Sequence, residues 1–102
     1  MTTAKRSTAL PNVPTVAESG LPGFNISTWY GLWAPRGTPA SIVNQLATQA
    51  AQALKQPDVH KQYVDMGAEP VGSTPEEFTN YITAERAKWE EIVRKADVKA
   101  GE

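Results

Sequence analysis

Apolar residues recur along the last third of the chain at the spacing of one helix face. Phe78, Tyr81, Ile82, Trp89, Ile92, Val93 and Ala96 follow one another at the steps that keep side chains on a single stripe. Arg86, Lys88, Glu90, Glu91, Arg94 and Lys95 fill the other side, with Glu90 ahead of Arg94 and Glu91 ahead of Lys95 in the favourable i,i+4 order. That side is expected to be solvated, and the stripe, Trp89 included, to face a core. Just upstream, Thr74-Pro75-Glu76-Glu77-Phe78 carries the chemistry of a helix start. Thr74 can accept an orphan N–H, Pro75 sets a helical φ where no N–H is needed, and Glu77 completes a capping box. The pattern predicts a helix from 75 to about 96, ~33 Å long at ~1.5 Å per residue. That exceeds what a body of this size spans unaided, so partners are expected.

Upstream, residues 24–34 begin with alternation at Phe24 and Ile26 and become almost continuously apolar through Trp29, Tyr30, Leu32 and Trp33. This predicts a strand, buried on both faces in its second half, with Gly31 marking a close approach. Thr38-Pro39 repeats the start grammar of the last helix and predicts another, with Ile42, Val43, Leu46, Ala47, Ala50 and Leu54 as its stripe. Its alanines leave room for a neighbour. Pro57 restarts the chain for a short helix through Val59, Tyr63 and Met66, ended by Gly67. Residues 68–72 then read as a brief extended segment whose Pro70 belongs at a sheet edge. Before all of these, residues 1–11 form a polar tail, expected to be ordered only where another segment holds it. Residues 15–19 allow one or two helical turns closed by Gly20.

Composition narrows the function. The chain has 102 residues, 40% hydrophobic and 21% charged, with a net charge of −1. This is the make-up of one small folded domain. No cluster of Lys and Arg provides the counterion release that nucleic-acid binding needs, so no nucleic-acid partner is expected. The absence of cysteine removes disulfides and thiolate metal sites. No apolar run approaches the ~20 residues of a membrane span, and residues 1–10 lack the apolar stretch of a secretory signal. As written, the chain is expected to be neither exported nor anchored.

Candidate chemistry is sparse. His60 is the sole histidine and has no second ligand at metal spacing, so no metal site is expected. Ser27, Ser41 and Ser73 lack a nucleophile-elbow context, and Glu76 and Glu77 are accounted for by the helix start. No catalytic residue and no cofactor site emerges, and an enzyme is not expected. Gly72-Ser73-Thr74 could present N–H groups to an anion, but the glutamates that follow oppose one. The aromatic group Trp29, Tyr30 and Trp33 reads first as buried strand residues and second as one wall of a ligand cleft.

The motifs Pro14-Thr15-Val16-Ala17-Glu18-Ser19-Gly20-Leu21-Pro22-Gly23, Trp29-Tyr30-Gly31-Leu32-Trp33-Ala34-Pro35, Gly37-Thr38-Pro39 and the run from Gly67 to Phe78 resemble, in order and spacing, the C-terminal part of the Bug family. These are the periplasmic solute-binding receptors of tripartite tricarboxylate transporters. The resemblance implies an α/β fold class: a mainly helical C-terminal fragment of a type II periplasmic-binding-protein fold, with one or two strands and three helices, open to self-association. It implies that residues 1–23 form a tail and structured loop and that 24–102 belong to the first lobe. Trp29 and Tyr30 would lie near the hinge or cleft. The whole receptor would close on a small carboxylate in the periplasm and deliver it to a membrane permease. The fragment by itself is expected not to bind ligand, since the upstream glycine-rich loops are absent. The alternative is an independent helical interaction module without a transport role.

Overall fold

The computed structural model describes residues 1–99 and 101. Among the described residues three helices form, α1 (Ala40–Leu54), α2 (Pro57–Asp65) and α3 (Pro75–Lys95), and α1 packs on both of the others. The start of α3 follows the sequence grammar closely. Thr74 Oγ1 accepts the Glu77 N–H at 3.2 Å, while Glu77 Oε2 accepts the Thr74 N–H at 2.9 Å. This capping box contributes about 1 kcal/mol. The end of α2 is equally local in origin. Gly67 adopts φ 77°, and the Ala68 and Gly67 N–H groups donate to Tyr63 O and Val64 O, so the last carbonyls are satisfied by a left-handed residue.

Thr38 behaves differently from Thr74. Its hydroxyl donates to Pro35 O at 2.7 Å, and Pro39 rather than Thr38 is the N-cap of α1. The physical reason lies three residues on, where α3 has Glu77 to answer its threonine and α1 has Ser41, too short to reach back. Thr38 therefore closes the Pro35 to Thr38 turn instead.

The expected strands appear as extended chain without a ladder. Among the described residues no strand is assigned, and no backbone N–H or C=O within 27–34 has a backbone partner. The conformation is nonetheless strand-like, because Trp29 and Trp33 turn toward Phe78 of α3, Trp33 while still 66% exposed, and Tyr30 and Leu32 point the other way at 91% and 86% exposed. The sequence carries the alternation, but a ladder needs neighbouring strands. Beyond the Ala68 N–H that closes α2, residues 69–72 likewise run without a backbone partner, with Gly72 set against Ala51 of α1.

The polar tail is held in place. The Met1 amine donates to Pro14 O, Val16 N to Met1 O, and Ile26 N to Thr2 O at 2.7 Å. Thr15, 1% exposed, starts a small turn with its own capping box to Glu18, and Glu18 also pairs with Arg6 Nε at 2.9 Å.

No apolar side chain among the described residues is fully buried. Trp89, expected in a core, is 38% exposed. The chain exposes 8598 Å², whereas a compact monomer of its mass exposes about 5,700 Å². Its radius of gyration is 16.6 Å, against about 13 Å for a compact chain of this length. The difference of about 2,900 Å² on this one chain is well above the roughly 800 Å² that each partner gives to a standard interface.

Candidate functional site

The aromatic group gathers where residues 29–33 cross α3. Trp29 meets Phe78 and Tyr81 edge to face, with ring centroids 5.7 and 5.5 Å apart, and Trp33 lies 5.4 Å from Phe78. These separations suit the quadrupoles of the rings. Gly31 sits under Phe78 so closely that a Cβ there would fall 2.2 Å from the ring. Trp29 and Tyr30, the two candidates for a hinge or cleft position, point apart: Trp29 belongs to the cluster and Tyr30 faces solvent.

A polar clasp that the apolar pattern did not reveal lies one turn further along α3. Glu85 accepts from Lys88 Nζ at 2.5 Å and from the Trp89 indole N–H at 3.0 Å, and Lys88 also donates to Asn25 O at 3.0 Å. Lys88, expected on the solvated face, is thus turned onto the incoming chain. Glu85 falls between Tyr81 and Trp89 at steps of four, so a carboxylate interrupting the apolar stripe was the available signal. Elsewhere on the helix Glu91 pairs with Lys95 as expected, while Glu90 lies nearer Arg86 than Arg94, at 3.9 Å.

The Lys88 ammonium, with help from the Trp89 N–H and against the cost of partial burial, holds the Glu85 carboxyl below its ordinary value of 4.5. A carboxyl lowered in the folded state stabilises fully above its unfolded value and ceases to as pH falls through the lowered one. Melts taken downward from pH 5 should therefore show progressive loss of stability, and Glu85→Gln should flatten part of that slope. Glu18 and Glu91, lowered by Thr15 with Arg6 and by Lys95, account for another part. An unchanged slope in Glu85→Gln would remove the clasp from the acid response.

An open groove of about 450 Å³ lies between α1 and the start of α3, lined by Asn44, Thr48, Ala51, Lys55, Ser73 and Thr74 among others. Lys55 is the one cation in its lining, and the Thr74 hydroxyl is engaged in the capping box. Such a groove does not enclose a carboxylate with the several converging donors that desolvation demands. Among the described residues no three His, Cys, Asp or Glu side chains converge as metal ligands, and no helix is long and apolar enough to cross a membrane.

Comparison with known proteins gives this open architecture its context. Residues 1–98 match the family described as Tripartite tricarboxylate transporter family receptor. Protein BugT of Bordetella pertussis is 37% identical over 94 residues, which make up 92% of this chain and 29% of BugT. R. palustris Rpa4515, solved with adipate, aligns with a TM-score of 0.80 at 40% identity over 94% of this chain and 32% of that one. The periplasmic binding protein BugD aligns with a TM-score of 0.79 at 34% identity, over 96% and 33%. The architecture is thus a portion of a periplasmic-binding-protein fold. The chain belongs to the Bug family of tripartite tricarboxylate transporter receptors, which are solute-binding proteins and not enzymes. It spans about a third or less of the length of these relatives.

Proposed function

We propose that this chain is the C-terminal portion of a periplasmic receptor for small carboxylates that feeds a membrane permease of the tripartite tricarboxylate type. The observation that carries this reading is the 40% identity, over nearly the whole chain, to a receptor solved with adipate. On this reading residues 24–102 belong to the first lobe, which the three helices clothe, 14–23 lead out of the second, and Trp29 and Tyr30 stand beside the hinge or cleft. The chain by itself lacks a closed cleft. It should not hold ligand, and its uncovered apolar surface leaves it open to self-association. The independent helical module draws no support from a set of helices that buries no apolar side chain completely.

Titration calorimetry of the chain against adipate and other C4 to C6 dicarboxylates should give no saturable heat tighter than ~1 mM, about −4 kcal/mol. Saturable binding below that limit would place a working site within these 102 residues.

A further inference from the structure

Three stretches far apart in the chain meet at Asn25. Its side-chain oxygen accepts from Ala4 N at 3.1 Å, its carbonyl accepts from Lys88 Nζ at 3.0 Å, and the next residue, Ile26, donates its N–H to Thr2 O. Lys88 is held in turn by Glu85, whose second oxygen takes the Trp89 indole N–H at 3.0 Å. Among the described residues, the bond from Lys88 to Asn25 is the one hydrogen bond that α3 makes beyond itself and the residues flanking it. The pair is also shielded. The Glu85 side chain is 12% exposed, whereas the carboxylate of every other ion pair among the described residues is at least 47% exposed. Taking a charge out of water costs free energy, and a helix gains as much from an exposed pair. What the shielded pair supplies is direction, because it aims Lys88 at a single carbonyl. Further on, Trp29 and Trp33 attach the same segment to Phe78 and Tyr81. Ring pairs accept several geometries, while a charge-assisted hydrogen bond fixes a point. Two attachments define the line along which residues 25–29 leave α3, and one would let them swivel.

We propose that Asn25, Lys88 and Glu85 form a latch at the root of this segment, positioning residues that set how the two lobes of the receptor stand to one another and how readily they close on a carboxylate. This rests on the reading above, in which 14–23 lead out of the second lobe and the helices clothe the first. On it, Asn25 lies where the chain arriving from the second lobe meets α3 of the first. The latch needs no contact with ligand. It acts on the fraction of receptor whose lobes are aligned for closure, and apparent affinity falls in proportion to that fraction.

The first arm of the test uses the chain alone. Lys88→Met keeps the side chain's length and removes both of its bonds, so the Ala4 and Ile26 amides should exchange about tenfold faster while those in the middle of α3 hold. The second arm uses R. palustris Rpa4515 with this chain in place of the third that it matches. There Lys88→Met and Glu85→Gln should each weaken adipate binding about tenfold in calorimetry. Lys88→Arg, which can still donate to both partners, should stay near the parent value. Arg86→Met removes an exposed pair from the same helix and should change nothing. Unchanged exchange at Ala4 and Ile26, or an equal loss of affinity from Arg86→Met, would overturn the latch. A parent composite that gives no heat with adipate or other C4 to C6 dicarboxylates would sink the carboxylate reading instead. The latch is then read from the separation of two spin labels, one on each lobe. Lys88→Met should broaden that separation and Arg86→Met should not, and an unchanged distribution in Lys88→Met overturns the proposal.

Discussion

Trp29→Ala should cost roughly 2–4 kcal/mol, enough to erase a cooperative unfolding transition in a domain with so little enclosed apolar surface. Trp29 holds the centre of the aromatic group, in contact with Trp33, Phe78 and Tyr81 together. Each such pair adds about 0.5–1.5 kcal/mol beyond the area it covers. Trp89→Ala provides the contrast. Its ring is 38% exposed and tethered by one indole hydrogen bond, so a smaller loss of about 1–2 kcal/mol is expected. Urea titration followed by far-ultraviolet circular dichroism measures both. A Trp29→Ala chain within 1 kcal/mol of the parent would mean that residues 24–34 are anchored by something other than these rings.

Gly72→Val should be nearly as damaging, at about 2–4 kcal/mol, through two independent penalties. The backbone there has φ 64°, which a β-branched residue resists. A Cβ at this point would also stand 3.1 Å from Ala51 Cα and 3.2 Å from Ala51 Cβ, against helix backbone that cannot swing aside. In an Ala51→Gly background the same change should cost less, by a coupling of about 0.5 kcal/mol or more, while the φ penalty stays. Equal costs in the two backgrounds would show that the close approach of residues 68–72 to α1 carries no energy.

The contrast between Gly31 and Gly72 shows how differently a short sequence can be read. Gly31 stands in an apolar run, where a glycine announces close packing, and Phe78 does lie on it. Gly72 ends an extended segment just before a helix start, and nothing in its neighbours in the chain announces a close approach. That it also admits α1 follows only from where Ala51 comes to rest in three dimensions.

Elements whose hydrogen bonds close within a few residues were legible in the sequence. The start of α3 needs only Thr74 and Glu77, and the end of α2 needs only Gly67, because the partners are neighbours in the chain. Family membership was legible for a related reason, since turn and cap motifs keep fixed spacings. Elements whose partners are distant were not. Residues 24–34 carry strand patterning, yet a ladder is a property of at least two segments, and Glu85 acquires its meaning only when Lys88 reaches across to Asn25. Burial of the α3 stripe fails for the same reason. Periodicity states which face is apolar, and only the tertiary structure decides whether anything covers it.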